Sequence, residues 1–517
     1  MSAASKITTD ILHEIARRIP IFEHVSPLLR SSDIWHDPLW IKHKPSNLLP
    51  CILVCRLWKT IFTPYLYQYY IDNHLDVPLK KDKLFLAFRK HSHLIRWYLS
   101  HIPFSEDFQQ RLPFDPKDPP KNISGLLLFE TRPVICQLLV ENQGARLKQL
   151  AWCSARLLFR DAFLNLPCLE ELDLRVALMD DETLFKILSG CAETLRSLRL
   201  QTSAGMSSKF FDFDGPVTST SKRINHGSGM TGKPKWMLSR LKALQLFLPL
   251  ERPDVVFRFP QLCPTLETIH IVARSSFASF TELTATLQAH CPHIHTIVYG
   301  DYHEDSLYYP DSKDFIPLIT HSVKPQSLRR ISFGIPKGLD GYIMGGLIQH
   351  ATTLVELELW SRPEASYVIL KLDKMAVLLS HCTKLKVLRI PRLRADHITM
   401  DDLLAVPWAC QELQALLIDD YSAAKPAAGV WFEGQKSRRR SGDSQRPIHK
   451  EYLDVGQGWL MKPGMKQEYY QQALDDSEWK CKLFEHMYTT SGVKNVKCVT
   501  LNSVQFFSSL WEDSHLW

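Results

Sequence analysis

A short apolar pattern recurs along most of this chain, with an apolar residue at its first, fourth and sixth positions. Helical patterns precede several copies: before the copy at Leu195, Leu184, Ile187 and Leu188 share one helical face. Because alternate strand residues face the same side, each copy predicts a strand with one buried face, and the alternation predicts an α/β fold. The copies begin at Leu169, Leu195, Leu241, Leu266, Leu328, Leu354, Leu385 and Leu413, and weaker ones at Ile123, Leu147, Ile294 and Val496.

This L-x-x-L-x-L pattern, repeated mostly every 25–34 residues, resembles that of leucine-rich repeats. The resemblance implies a curved solenoid with parallel strands on its concave face and helices outside. Its units must stack, because none can bury its apolar face alone. Side chains between and just after the last two leucines would face a target protein on the concave side. We predict target contacts at Arg175, Arg199, Phe247, His270, Glu358, Trp360 and Arg389.

Two of these predicted contacts are aromatic, and an exposed aromatic side chain is typical of an energetic anchor in an interface. Phe247 and Trp360 are therefore the main candidates, unless loop insertions fold over the face and cover them. Three arginines, Arg175, Arg199 and Arg389, would suit a phosphorylated target, although the sequence does not decide whether phosphate is required.

The first residues have a different, helical pattern. Ile7, Ile11, Leu12, Ile15 and Ile19 lie at helical spacing, and Thr8 or Thr9 can cap that helix. A second helix is predicted around Leu49–Trp58, closed or bent by Pro64. Two such small helices expose too much apolar surface to be stable alone, so they need a partner or a third helix.

These helices resemble an F-box, whose second half reads Leu-Val-Cys-Lys/Arg-x-Trp and here reads Leu53-Val54-Cys55-Arg56-Leu57-Trp58. The first half matches in part over residues 7–15, with Thr8 in place of the family proline and Asp10 in place of its glutamate. The resemblance implies docking to a Skp1-like adaptor, and through it to a cullin-RING ubiquitin ligase. The alternative is a helical cap on the repeats. The residues implied in adaptor contact or its direct support are Ile7, Ile11, Leu12, Ile15, Leu53, Val54, Cys55 and Trp58.

The two patterns divide the chain into three parts. We predict an F-box-like helical domain at 1–70 with an insertion at about 20–47, and a helical linker or N-terminal cap at 71–120. An irregular repeat domain follows at 121–517, with loops at about 201–237 and 421–471. The second loop carries the basic run at 436–440, which is either a solvated loop or a nuclear-localisation signal.

Composition narrows the class of protein further. Of 517 residues, 45% are hydrophobic and 23% charged, as in globular proteins, and the net charge of +7 does not indicate nucleic-acid binding. No apolar run is long enough to span a membrane, and the start lacks the apolar core of a secretion signal. We therefore expect an intracellular protein of the cytoplasm or nucleus, without a membrane partner. The twelve cysteines are expected to be reduced packing residues.

Catalytic and metal motifs are weak. The stretch Gly227–Pro234 fits G-x-x-x-x-G-K, but proline stands where a phosphate loop needs serine or threonine. The Cys/His cluster at 290–295 is better explained by a repeated packing cysteine than by a metal. We therefore expect no enzyme, cofactor or metal site. The expected function is a substrate-recognition subunit of an SCF-type ligase, and the alternative is a leucine-rich-repeat scaffold without a ligase role.

Overall fold

The structure is a computed structural model in which the chain divides into two compact units. Unit 1 comprises residues 1–256 and 262–264, and unit 2 comprises 257–261 and 265–517. The residues described are 8–19, 22–24, 41–43, 45–71, 81–100, 114–115, 117–129, 139–156, 163, 166–201, 210–211, 236–248, 258–273, 280–299, 312–334, 341–360, 372–393, 407–420, 498–501 and 504–507.

Unit 1 begins with three helices, α1 (Thr9–Arg18), α2 (Leu49–Ile52) and α3 (Arg56–Tyr67). Both α1 and α2 contact α3. His13 on α1 also lies within hydrogen-bond distance of Tyr65 on α3, with Nδ1 and the phenol oxygen 3.1 Å apart. Burial of apolar side chains stabilises such a helical group. Its buried core consists of Leu12, Ala16, Leu48, Ile61, Phe62 and Leu66.

Two features of this region differ from the sequence prediction. The second helix, predicted around Leu49–Trp58, is divided into α2 and α3, and Pro64 lies inside α3, which continues to Tyr67, so Pro64 does not close the helix. A proline ring removes one backbone N–H, and Leu66, two residues after it, is buried in the core of this region. The predicted insertion at 20–47 also contains two short antiparallel strands, β1 (Phe22–His24) and β2 (Ile41–His43).

Seven consecutive parallel strands make up the sheet of unit 1. Two longer helices, α4 (Lys81–Lys90) and α5 (Asp181–Cys191), lie between strands in the sequence. The strands are β3 (Tyr69–Ile71), β4 (Trp97–Ser100), β5 (Gly125–Phe129), β6 (Gln149–Arg156), β7 (Glu171–Leu178), β8 (Ser197–Gln201) and β9 (Ala243–Leu248).

Unit 2 repeats this arrangement with helices between most strands. The helices are α6 (Thr281–His290), α7 (Ser312–Thr320), α8 (Gly341–Ile348) and α9 (Leu372–His381). Strands β10 to β16 pair in parallel and in chain order, and β17 is antiparallel to β16. They are β10 (Thr268–Ala273), β11 (Thr296–Tyr299), β12 (Arg330–Gly334), β13 (Glu356–Trp360), β14 (Val387–Leu393), β15 (Ala415–Asp420), β16 (Cys498–Leu501) and β17 (Val504–Phe507).

The predicted α/β class and the strand positions of the apolar pattern are confirmed. In the copy that contains β7, for example, Leu169, Leu172 and Leu174 at the three pattern positions are all buried, and described copies throughout both units repeat this burial. Strands β3 and β4 were not predicted. At β4 the fourth and sixth pattern positions hold Tyr98 and Ser100 rather than leucine, so the sequence signature is lost although the strand forms.

One position just before the strands has the same structural role in several repeats. Cysteines three or four residues before the first apolar residue of a copy are buried and free: Cys191, Cys263, Cys291, Cys382 and Cys410. The Cys191 thiol donates to the Ile187 carbonyl at 3.3 Å. Burial raises the pKa of Cys191, Cys291, Cys382 and Cys410 to about 12 each, so these thiols stay protonated and unreactive.

The predicted loop at 201–237 is only partly a surface connection. Phe210, Phe211 and Trp236 are buried, and the rings of Phe210 and Trp236 meet edge to face with centroids 5.4 Å apart. Trp236 also meets Phe185 of α5 at 5.4 Å. Large aromatic side chains gain enough from burial to draw parts of a long Gly/Ser-rich segment into the core.

Candidate functional site

The N-terminal helices leave large apolar side chains exposed beside their core. Leu53 is 82% exposed, Ile11 53% and Val54 48%, and all three were predicted as adaptor contacts. Leu49 and Leu57, which the sequence prediction omitted, are exposed as well. Exposed apolar groups of this size on a small helical module are typical of a protein-binding surface.

Local backbone structure explains why the Leu53–Trp58 motif is split between surface and core. After α2 the chain turns, with the Leu53 and Val54 N–H groups donating to Pro50 and Cys51 carbonyls at 3.2 and 3.3 Å. Cys55 is extended and precedes the first residue of α3. Leu53 and Val54 therefore lie on the turn, outside both helices.

The other predicted adaptor residues support this surface from below. Leu12 is fully buried and belongs to the core, so it does not reach a partner directly. Ile15 and Trp58 are partly buried and pack against the same core, where Trp58 stacks on Phe62 with ring centroids 5.3 Å apart. Cys55 is partly buried, and Ile7 lies outside the described residues.

A second candidate surface is the outward face of the sheet, which we define as the face opposite the leucine core. In unit 1 it carries Asp173, Arg175 and Arg199 on β7 and β8. The guanidinium of Arg175 donates to both Asp173 carboxylate oxygens at 3.0–3.2 Å, and Arg199 Nε lies 3.8 Å from the same carboxylate. These charged groups fix one another in place.

Phe247 does not have the exposure that an anchor needs. It is only 8% exposed, and the Arg199 guanidinium carbon lies 4.7 Å from its ring centroid. The stacked arginine accounts for part of its burial, because a guanidinium packs flat against an aromatic face. The prediction of an exposed aromatic is therefore wrong at Phe247.

In unit 2 the outward face contains a second charged group. Glu358 accepts a hydrogen bond from the Ser332 hydroxyl at 3.0 Å and pairs with Arg389 Nη1 at 3.0 Å. The three residues are register partners on β12, β13 and β14. His270 is partly buried on β10, and the side chain of Trp360 lies outside the described residues.

The predicted arginines thus all have acidic neighbours: Arg175 and Arg199 contact Asp173, and Arg389 contacts Glu358. A phosphate group on a target would have to compete with these carboxylates. A carboxylate held by two or more donors is not displaced without cost, because its own charge would be left in a partly buried site.

An apolar part of the outward face was missed by the sequence prediction. Tyr69 and Trp97 stack with ring centroids 5.9 Å apart, and a side chain added at Gly125 would overlap the Trp97 ring. Four buried residues extend this cluster across β3 to β6: Ile71, Leu99, Leu127 and Ala151. The repeat pattern contains no signal for it, because these side chains occupy the variable positions between the leucines.

The Cys/His cluster at 290–295 serves packing. Cys291 is buried, and its thiol donates to the Pro260 carbonyl at 3.4 Å, whereas His290 and His293 are exposed. His295 lies 3.8 Å from Glu267. Among the described residues, no three His, Cys, Asp or Glu side chains come together as metal ligands. The segments 227–234, 421–471 and 436–440 lie outside the described residues.

Neither protein-family models nor curated proteins give a match to this chain. In the part of the chain that the structure describes, every helix is too short or too polar to cross a lipid bilayer. Two surfaces are therefore the candidate functional sites: the exposed N-terminal apolar residues and the outward sheet face.

Proposed function

We propose that this chain is the substrate-recognition subunit of an SCF-type E3 ubiquitin ligase. Its N-terminal helices act as an F-box that docks a Skp1-like adaptor, and through it a cullin. Its repeats form a curved solenoid that binds a target protein. The support comes from the F-box resemblance of Leu53–Trp58 and from the confirmed strand positions of the repeat pattern.

One observation carries most of this proposal. Helices α1 to α3 already bury a core of their own, yet Leu53 and Val54 of the motif are left exposed beside it. A side chain such as leucine gains about 1.5–3 kcal/mol on full burial, so leaving two of them in water is unfavourable unless a partner covers them. An apolar adaptor surface would supply that cover.

The proposed mechanism needs no catalytic group on this chain. When the helices hold the adaptor and the repeats hold the target, the target stays near the ubiquitin-charged enzyme of the ligase. Tethering raises the effective concentration of the target, which accelerates transfer without any new chemistry. This role belongs inside the cell, in the cytoplasm or nucleus.

Adaptor capture by the full chain tests the proposal. We expect Leu53→Asp to weaken binding of purified Skp1 roughly tenfold or more, because a charged group replaces a buried leucine at the interface. Binding would be measured by isothermal titration calorimetry. Leu53 is better suited than Trp58, whose ring packs on the core and whose loss would disturb the fold.

The matched control is Leu86→Asp on α4, because Leu86 is 66% exposed and lies outside the motif. It introduces the same charge in the same unit and is expected to leave adaptor affinity unchanged. If the parent chain fails to bind Skp1, or if Leu53→Asp binds as well as the parent, the ligase role is wrong. The repeat-scaffold alternative, with the helices as a cap, would then explain the chain better.

A further inference from the structure

A small depression lies on the outward face of unit 1, where β6, β7 and β8 run side by side. It encloses about 20 Å³, room for a group about the size of one water molecule and far below the ~300–1,000 Å³ of pockets that enclose small molecules. It is therefore large enough for the end of one side chain. The lining residues are Gln149, Leu150, Ala151, Glu171, Leu172, Asp173, Ser197 and Arg199.

Glu171 is the unusual group in this depression. It is partly buried, and among the described residues it has no cationic partner. Burial raises its pKa, as does the negative charge of neighbouring Glu170, while a hydrogen bond from Gln149 acts in the opposite direction. A partly buried carboxylate without a counter-charge is unfavourable, so the depression attracts positive charge.

The same repeat position in unit 2 shows what Glu171 lacks. Glu356 follows Leu354 by two residues, as Glu171 follows Leu169, and its register partner on the preceding strand is Arg330. Arg330 Nε lies 3.4 Å from the Glu356 carboxylate. On β6 the corresponding residue is Gln149, which is neutral.

Neighbouring cations do not supply the positive charge that is missing beside Glu171. Arg175 and Arg199 are engaged by Asp173, and on the strand-entry side Lys148 and Arg196 lie 3.2 and 3.9 Å from Glu170. Gln149 supplies a hydrogen bond to Glu171 but no positive charge. An incoming cation therefore meets the Glu171 carboxylate without a competing cation on the adjacent strand.

We propose that this depression receives a lysine or arginine side chain of the protein bound by the repeats. The cation pairs with the Glu171 carboxylate. Glu171 thus receives from a partner protein the positive charge that Arg330 gives to Glu356 within the chain. The inference deepens the proposed target-binding role and rests on it, and it identifies a basic residue as one feature of the target.

Short peptides test this inference on the full chain without an adaptor. The probes are acetyl-Gly-Arg-Gly-amide and acetyl-Gly-Lys-Gly-amide, each compared with an uncharged analogue that contains citrulline or acetyl-lysine. Saturation-transfer NMR titration gives their affinities. We expect both cationic probes to bind and Glu171→Gln to weaken them about fivefold, as for a partly exposed ion pair.

Two further variants make the test specific. Gln149→Arg supplies the missing cation within the chain, so it should abolish probe binding while leaving Glu171 intact. Glu356→Gln changes the equivalent, already paired position and should leave probe affinity unchanged. Thermal unfolding and circular dichroism of each variant establish that the protein is folded, and Glu171→Ala would replace Glu171→Gln if that variant were unfolded.

Several results would overturn the inference. Equal binding of charged and uncharged probes, equal affinity in Glu171→Gln and the parent chain, or unchanged binding in Gln149→Arg would each exclude a cation site at Glu171. The peptide titration does not involve the adaptor. A negative result in it would therefore not contradict the ligase proposal. Conversely, failure of the Leu53→Asp test would leave a repeat protein that binds basic side chains.

Discussion

At the residue scale, His350 shows how one repeat position accepts chemically different side chains. It lies four residues before Leu354, as Cys191 lies four before Leu195, and it is fully buried. The Leu328 N–H donates to its Nδ1 at 3.4 Å, and its Nε2–H donates to the Ile319 carbonyl at 3.1 Å. The neutral imidazole therefore makes a hydrogen bond through each of its ring nitrogens.

This arrangement predicts a dependence of stability on pH. Burial lowers the pKa of His350 below its ordinary value of 6.5, although the bond to Ile319 partly opposes the shift. Between the lowered pKa and 6.5 the unfolded chain binds a proton that the folded chain does not. The contribution of His350 is therefore fully present above pH 6.5 and is lost as the pH falls through the lowered folded-state pKa.

Urea unfolding at pH 7.5, 6.5 and 5.5 measures this effect. We expect His350→Cys, which places the residue of the equivalent repeat there, to lose stability less steeply on acidification than the parent chain. Exposed His290→Gln serves as the control and should keep the parent slope. If the parent chain and His350→Cys have the same slope, the titration of His350 does not contribute.

At the element scale, helix α5 is fixed at its start by a single capping residue. Asp180 accepts hydrogen bonds from the backbone N–H and the hydroxyl of Thr183, at 2.8 and 2.9 Å. The cap satisfies one of the free N–H groups at a helix start, and its charge suits the positive end of the helix dipole. The buried residues Leu184, Ile187 and Leu188 then face the core.

Removing this cap is expected to lower the free energy of unfolding. Asp180→Ala should reduce the free energy of unfolding by about 1 kcal/mol, measured by urea denaturation. Glu182→Ala removes a charge from the same turn without removing a cap. The ion-pair partner of Glu182, Lys186, is exposed. The free energy of unfolding should therefore fall by less than about 0.5 kcal/mol in Glu182→Ala. A larger loss for Glu182→Ala than for Asp180→Ala would contradict the capping argument.

The elements also show how much of the fold could be predicted from the sequence. Strands at Leu169, Leu195 and Leu354 were predictable because leucines two apart must share a face, and that constraint is local. The pair β1–β2 and the burial of Phe210 depend on contacts with distant parts of the chain. No short pattern encodes such contacts, so the sequence predicted an insertion and a loop instead.

The candidate site was predictable to a similar extent. Leu53 and Val54 were found through their motif, whereas Leu57 was missed because it stands at a variable motif position. On the outward face, Arg175 and Arg199 were found by alternation along the strand. Their pairing with Asp173, the burial of Phe247 and the depression beside Glu171 depend on which side chains meet across strands, which requires the register.

At the scale of the whole molecule, strand pairing is local within each unit, with one exception in unit 2. Val387 pairs with Ala415, 28 positions away, but Ala415 pairs with Cys498, 83 positions away. A threefold longer closure costs about 0.6–1 kcal/mol of additional entropy. The β15–β16 pair should therefore open more readily than β14–β15.

Amide hydrogen exchange on the full chain tests this difference. We expect the N–H groups of Val499 and Thr500 in β16 to exchange faster than those of Leu388 and Arg389 in β14. The two sets lie in the same unit, so β14 is the internal control, and β16 has a parallel neighbour in β15 and an antiparallel one in β17. Equal or greater protection in β16 would show that other contacts outweigh the longer closure.

The sequential register has a consequence for biosynthesis. Within each unit, nearly every strand has its first neighbour already made when it leaves the ribosome, because that neighbour is the preceding segment. Each unit can therefore grow by adding segments to a finished edge, without waiting for distant sequence. The order of synthesis and the order of assembly would then be the same up to β15. The next partner strand, β16, is synthesised only after a long intervening segment.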